Sequence, residues 1–135
     1  MAARNTEMIV KDCLREPVVI FCTSSCNSTR EVRYDLAVAR EGIPGVRKST
    51  VVHLDRIRGG RALRRHLVET TNVKSGPIVF IDGKLVGSTD EVKRLHRAGE
   101  LRGMIEEAVR KSRLRRGHSS SVRYDSHLPI VSQDA

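Results

Sequence analysis

The apolar run Val18-Val19-Ile20-Phe21 follows Pro17 and empties into the polar stretch Cys22-Thr23-Ser24-Ser25. Four consecutive apolar residues read as a buried strand, and the polar stretch is too short to be anything but a connecting loop. A helix is expected next. Val32, Leu36 and Ala39 recur at helical spacing, with Val38 alongside, until Gly42 and Pro44 stop them near Glu41. Ser25 is a good N-cap, which puts Cys26 at the first helical position. Beyond the Gly42 to Gly45 break, Thr50 to Asp55 alternates and is β-branched, a second strand. Strand, helix, strand implies a right-handed parallel crossover.

The remaining elements follow from spacing and turn chemistry. Thr6 to Arg15 carries Met8, Ile9, Cys13 and Leu14 at roughly helical intervals, a short first helix with Cys13 in the core. Gly59 to Thr71 puts Ala62, Leu63, His66 and Leu67 on one side and arginines on the other, a third helix. Pro77 to Ile81 and Lys84 to Val86 are two strands joined by Asp82-Gly83, a strong signal for a two-residue antiparallel hairpin. From Thr89 onward Val92, Leu95, Leu101, Met104, Ile105, Ala108 and Val109 keep helical spacing to a basic end. Residues 1–111 therefore read as one domain. Residues 112–135, with Ser119-Ser120-Ser121, Gly117 and Pro129, read as a basic, Ser-rich flexible tail.

Composition narrows the function classes. A chain of 135 residues builds one core. No run approaches a membrane span and the amino terminus leads into no signal-peptide core, so the expected location is cytoplasmic, with Lys111 to Arg116 leaving a nuclear address open. Three cysteines, Cys13, Cys22 and Cys26, argue against a secreted disulfide framework, and the scattered histidines supply no metal-ligand pair. The net charge of +9 raises the question of an acidic partner, with basic clusters at Arg56 to Arg65 and Arg110 to Arg116. No aromatic residue interleaves with either cluster, so a stacking platform for nucleic acid is missing.

Cys26 is the residue around which chemistry can be organised. Unpaired N–H groups and the dipole at a helix start favour an anion, so a thiolate there is stabilised and reactive. The plainer alternative is a small thiol filling a strand-to-helix corner.

Several segments in order carry a family likeness: Val18 to Cys26, Leu54-Asp55, Ser75-Gly76-Pro77 followed by Val79 to Lys84, Val86 to Glu91, and Leu95 to Leu101. Over residues 6–111 the chain resembles a glutaredoxin. The resemblance implies an α/β, thioredoxin-like fold with a four-stranded mixed sheet flanked by helices, glutathione as co-substrate, and thiol–disulfide exchange as the chemistry. Cys26 matches the nucleophile. Its motif reads Cys26-Asn27-Ser28-Thr29, with Thr29 in the place of a resolving cysteine, which implies a monothiol mechanism. A 2Fe–2S cluster is left open by the motif without being indicated.

The same resemblance assigns the glutathione site. Pro77 matches a proline that is cis in this fold, Gly76 stands where Val is usual, and Thr89 and Asp90 match the region that takes the γ-glutamyl end. Ser88 replaces a glycine there, with strain if that position needs positive φ. Arg64 and Lys74 match basic residues for the glycine carboxylate. Thr23 occupies the place of a lysine that normally helps hold glutathione and the thiolate. The implied partners are glutathione and glutathionylated or disulfide-containing proteins, with no membrane partner. A second reading, motivated by the departures at Thr23, Asn27, Thr29, Gly76 and Ser88, is a catalytically degenerate glutaredoxin acting as a protein-binding regulatory module, a transcription factor among its candidate partners.

Overall fold

The computed structural model describes residues 2–46, 49–118 and 131–133. Helix α1 (Ala2–Cys13) leads into strand β1 (Val18–Cys22), helix α2 (Ser28–Arg40), β2 (Thr50–His53), α3 (Gly60–Thr71), the hairpin β3 (Ile78–Ile81) and β4 (Lys84–Gly87), α4 (Thr89–Arg97), α5 (Leu101–His118) and β5 (Val131–Gln133). The strands lie in the order β4-β3-β1-β2-β5. β1 runs parallel to β2 and antiparallel to β3, so the predicted crossover and hairpin meet on one central strand.

Burial explains why β1 is apolar throughout. Val18, Ile20 and Cys22 pack with Val32, Leu36, Val92, Leu101, Ile105 and Ala108 on one face of the sheet. Val19 and Phe21 pack with Val10, Cys13, Leu63, Leu67 and Phe80 on the other. A strand covered on both faces has no solvent side on which to place polar residues. Phe21 and Phe80 meet edge to face with ring centroids 5.8 Å apart.

The turn chemistry is as expected. Asp82 and Gly83 take φ of 57° and 72°, the left-handed pair that a two-residue hairpin matched to strand twist requires. Lys111 Nζ reaches Asp82 Oδ2 at 3.1 Å, tying α5 to the hairpin.

One expectation needs correction. The boundary after residue 111 is too early: α5 continues to His118 and buries Ser112, because no glycine or proline lies between Lys111 and Arg116 to stop it. The expected four-stranded mixed sheet, β4-β3-β1-β2, is present, and β5 extends it at one edge, Val131 to Gln133 pairing with Thr50 to Val52 of β2. The Ser119 to Ser121 run and Pro129 lie outside the described residues.

Candidate functional site

The site is built where β1 gives way to α2. Leu54 N–H donates to the Cys22 carbonyl at 2.7 Å, extending the β1–β2 ladder to the loop. One residue further, Asp55 Oδ1 accepts from the Ser24 N–H at 2.9 Å and from its hydroxyl at 3.2 Å. These bonds hold the Asp55 carboxyl below the usual aspartate range, the Ser24 N–H foremost. Cys26 N–H closes the turn on the Thr23 carbonyl at 3.1 Å.

This anchoring moves the helix start. Ser24 and Ser25 are spent on the turn, and Asn27 rather than Ser25 occupies the cap position, without a side-chain cap bond. Cys26 therefore sits just ahead of the cap and not at the first helical position. The first-turn amides of α2 follow it in the chain, with Arg30 N–H accepted by the Asn27 carbonyl at 3.2 Å.

A small open cleft of about 60 Å³ faces the thiol. Cys26, Thr23, Arg64, Lys74 and Gly76 line it, with Cys22, Phe21, Leu54, Val68, Val73 and Ile78 forming its floor and walls. Five of the eight residues singled out from sequence thus share one cavity, although they come from three separate stretches of chain. The apolar wall residues Val68 and Val73 escape a search for charged or nucleophilic groups. Their signal was only a half-buried position at the end of an amphipathic helix.

Pro77 is buried behind the cleft, and its peptide bond with Gly76 is trans, contrary to the expected cis. The physical reason stands next to it: Gly76 takes φ of 78°, so the chain turns into β3 through a left-handed glycine. A Cβ on Gly76 would lie 2.7 Å from Ser88 Oγ, which accounts for the absence of the usual Val. Thr89 and Asp90 do not line the cleft. They open α4, whose preceding residue Ser88 abuts the Ser75–Gly76 turn. Ser88 is extended, with φ of −112°, and carries no strain; the positive φ falls on Gly87 instead. Glu91 accepts the Ser88 N–H at 2.8 Å and fixes this helix start.

The three thiols differ sharply. Cys13 is buried and pushed up to about 12, by desolvation first and then by Asp12 and Glu16. Cys22 is also buried and raised, chiefly by desolvation, with Sγ 3.9 Å from His53 Nδ1. Thr29, in the place a resolving cysteine would take, lies near enough to Cys22 to ease that shift, yet its buried hydroxyl makes no hydrogen bond of ordinary geometry. Cys26 is half-exposed.

A parallel βαβ unit followed by an antiparallel hairpin, with a half-exposed cysteine between β1 and α2, defines a thioredoxin-like protein built for chemistry at sulfur. The comparisons narrow that class. No family model matches the chain. It is 34% identical over 107 residues to Glutaredoxin-C10 of Oryza sativa subsp. japonica, covering 76% of this chain and 94% of that one. Glutaredoxin-C15 of the same species is 37% identical over 108 residues with the same coverage. Among solved structures, the holo form of glutaredoxin C1 from Populus tremula x tremuloides superposes with a TM-score of 0.67 at 28% identity, over 78% of this chain and 98% of that one. The buckwheat glutaredoxin–glutathione complex has the same fold, at a TM-score of 0.69 and 24% identity over 79% and 92% of the two chains. The chain belongs to the glutaredoxin family, and with it to the thiol–disulfide oxidoreductases.

Proposed function

We propose that the protein is a monothiol, glutathione-dependent disulfide reductase that removes glutathione from protein thiols through Cys26. The observation that carries this reading is the convergence of Arg64 and Lys74 on the cleft of the half-exposed thiol, cations for a peptide carboxylate beside a nucleophile. Thr23 and the Gly76 turn border the same space, and the α4 start carrying Thr89 and Asp90 lies against that turn, where a γ-glutamyl end would sit.

The exchange runs in two displacements. The Cys26 thiolate attacks the glutathione sulfur of a protein mixed disulfide; a Cys26–glutathione bond forms, and the protein thiolate leaves and takes up a proton. A second glutathione thiolate then attacks that glutathione sulfur, so oxidised glutathione departs and Cys26 is restored. Protein disulfide is reduced and glutathione oxidised, one bond exchanged at each step. Thr29 offers no sulfur for an internal disulfide within the motif, which is why the second glutathione is needed.

Reduction of the glutathione mixed disulfide of 2-mercaptoethanol by wild type and by Cys26→Ser tests the reading. Loss of at least about a hundredfold in rate is expected, from removal of the proposed nucleophile; equal rates remove the proposal. The late start of α2 favours a second reading, a non-catalytic protein-binding module, because it leaves Cys26 outside the first helical turn. Calorimetry separates the two: no heat of glutathione binding to wild type, together with no turnover, selects the binding module.

A further inference from the structure

The two basic clusters of the chain are used differently. In the C-terminal cluster, Arg110 pairs with Glu107 at 3.1 Å, Lys111 with Asp82, and Arg113 donates to the Pro44 carbonyl at 2.7 Å. These three side chains are engaged within the fold. Arg56, Arg58, Arg61, Arg64 and Arg65 are all exposed, and among the described residues none of them forms an ion pair. Of the carboxylates that flank them in sequence, Asp55 is committed to Ser24 and Glu69 of α3 forms no ion pair with them.

Helical spacing arranges three of these arginines, Arg61, Arg64 and Arg65, along α3, with Arg58 in the turn just before it. Leu63 and Leu67 of α3 are buried against the sheet, so Arg61, Arg64, Arg65 and Val68 fall on the outward side at intervals of three and four residues. Arg64 and Val68 are also walls of the Cys26 cleft. The stripe therefore leads into the mouth of the site. From Arg61 to Val68 it spans about 10 Å at the helical rise, the length of roughly three extended residues.

We infer that the α3 arginine stripe is a docking surface for an acidic polypeptide segment flanking the cysteine whose mixed disulfide Cys26 resolves. The inference rests on the proposed reductase reading and adds the substrate class. Guanidinium forks match carboxylates two bonds at a time. A polypeptide is favoured over nucleic acid because Phe21 and Phe80 are buried and no Phe, Tyr or Trp lies on α3 to stack a base.

Two peptides of equal length test it, each bearing one cysteine as a glutathione mixed disulfide, flanked by three glutamates in one and three glutamines in the other. Wild type should show kcat/KM about tenfold higher on the glutamate peptide at low salt, the advantage shrinking toward parity near 0.5 M salt. The triple variant Arg58→Ser, Arg61→Ser, Arg65→Ser should keep its rate on the mercaptoethanol mixed disulfide and lose the preference to below about twofold. Equal kcat/KM for the two peptides with wild type, or a preference surviving in the triple variant, overturns the inference. A binding arm is independent of turnover: fluorescence polarisation of the glutamate peptide with serine for cysteine, against Cys26→Ser protein. Should the reductase reading fail, salt-sensitive binding that the triple variant abolishes still supports the docking surface, and no binding sinks it. Tighter binding of a duplex oligonucleotide of equal charge also overturns it.

Discussion

At the scale of single residues, the three cysteines show how one side chain is given different chemistry by its surroundings. Desolvation suppresses ionisation of Cys13 and Cys22, while Cys26 stands half-exposed at a cleft with two cations. In the native protein near pH 7.5, iodoacetamide should label Cys26 faster than either buried thiol by at least about tenfold, because only thiolates that reagent can reach are alkylated. Peptide mass mapping over a time course reads the order, and comparable labelling of Cys22 would contradict it. Gly76 makes the complementary point. Its positive φ and the approach of Ser88 bar a β-branched residue there, so the departure from the family pattern is a local packing solution and not a loosened loop.

At the scale of elements, α2 is held to the sheet mainly by apolar contact. Val32, Leu36 and Ala39 are buried, and Leu36 has no solvent exposure. Leu36→Ala should destabilise the protein by about 2 to 5 kcal/mol. Glu31→Gln, which breaks the exposed contact with Lys93, should change stability far less. Urea unfolding of the two variants measures the ranking, and a larger effect of Glu31→Gln would refute it. Element order was legible in the sequence because period, turn dipeptides and breakers are local signals: Val18 to Phe21 announces a covered strand, and Asp82-Gly83 its hairpin. The start of α2 was not, since Ser25 looks like a cap until Ser24 is seen bonded to Asp55, a partner 31 residues away. The pairing of Val131 to Gln133 depends equally on a partner remote in sequence. Of the site, the charged and nucleophilic members could be named, while the apolar walls Val68 and Val73 could not, because half-buried valines occur everywhere on amphipathic helices.

At the scale of the whole molecule, two of the shifted groups, Cys13 and His53, contribute to the alkaline and acidic limits of maximal stability. Cys13 has a folded value near 12 against an ordinary value of 9.0, so its contribution is complete below pH 9 and is lost as pH rises toward 12. His53 is lowered from 6.5, by burial first and then by Arg56, so its contribution is complete above pH 6.5 and is lost as pH falls below that. Urea midpoints measured across pH should form a plateau between these limits, with an alkaline limb of up to about 1.4 kcal/mol per pH unit from Cys13. Cys13→Ala should flatten the alkaline limb and His53→Asn the acidic one; unchanged limbs would show that other groups set them.

The short pairing of residues 131–133 with β2 has a consequence for how copies of the protein meet. Without it, β2 would present a bare rim of N–H and carbonyl groups to any passing chain. The opposite rim is guarded in another way, by a strand of only four residues that begins with the exposed Lys84. Self-association through ladder extension is therefore discouraged at both ends of the sheet, and the face left open to visitors is the one where the sulfur lies.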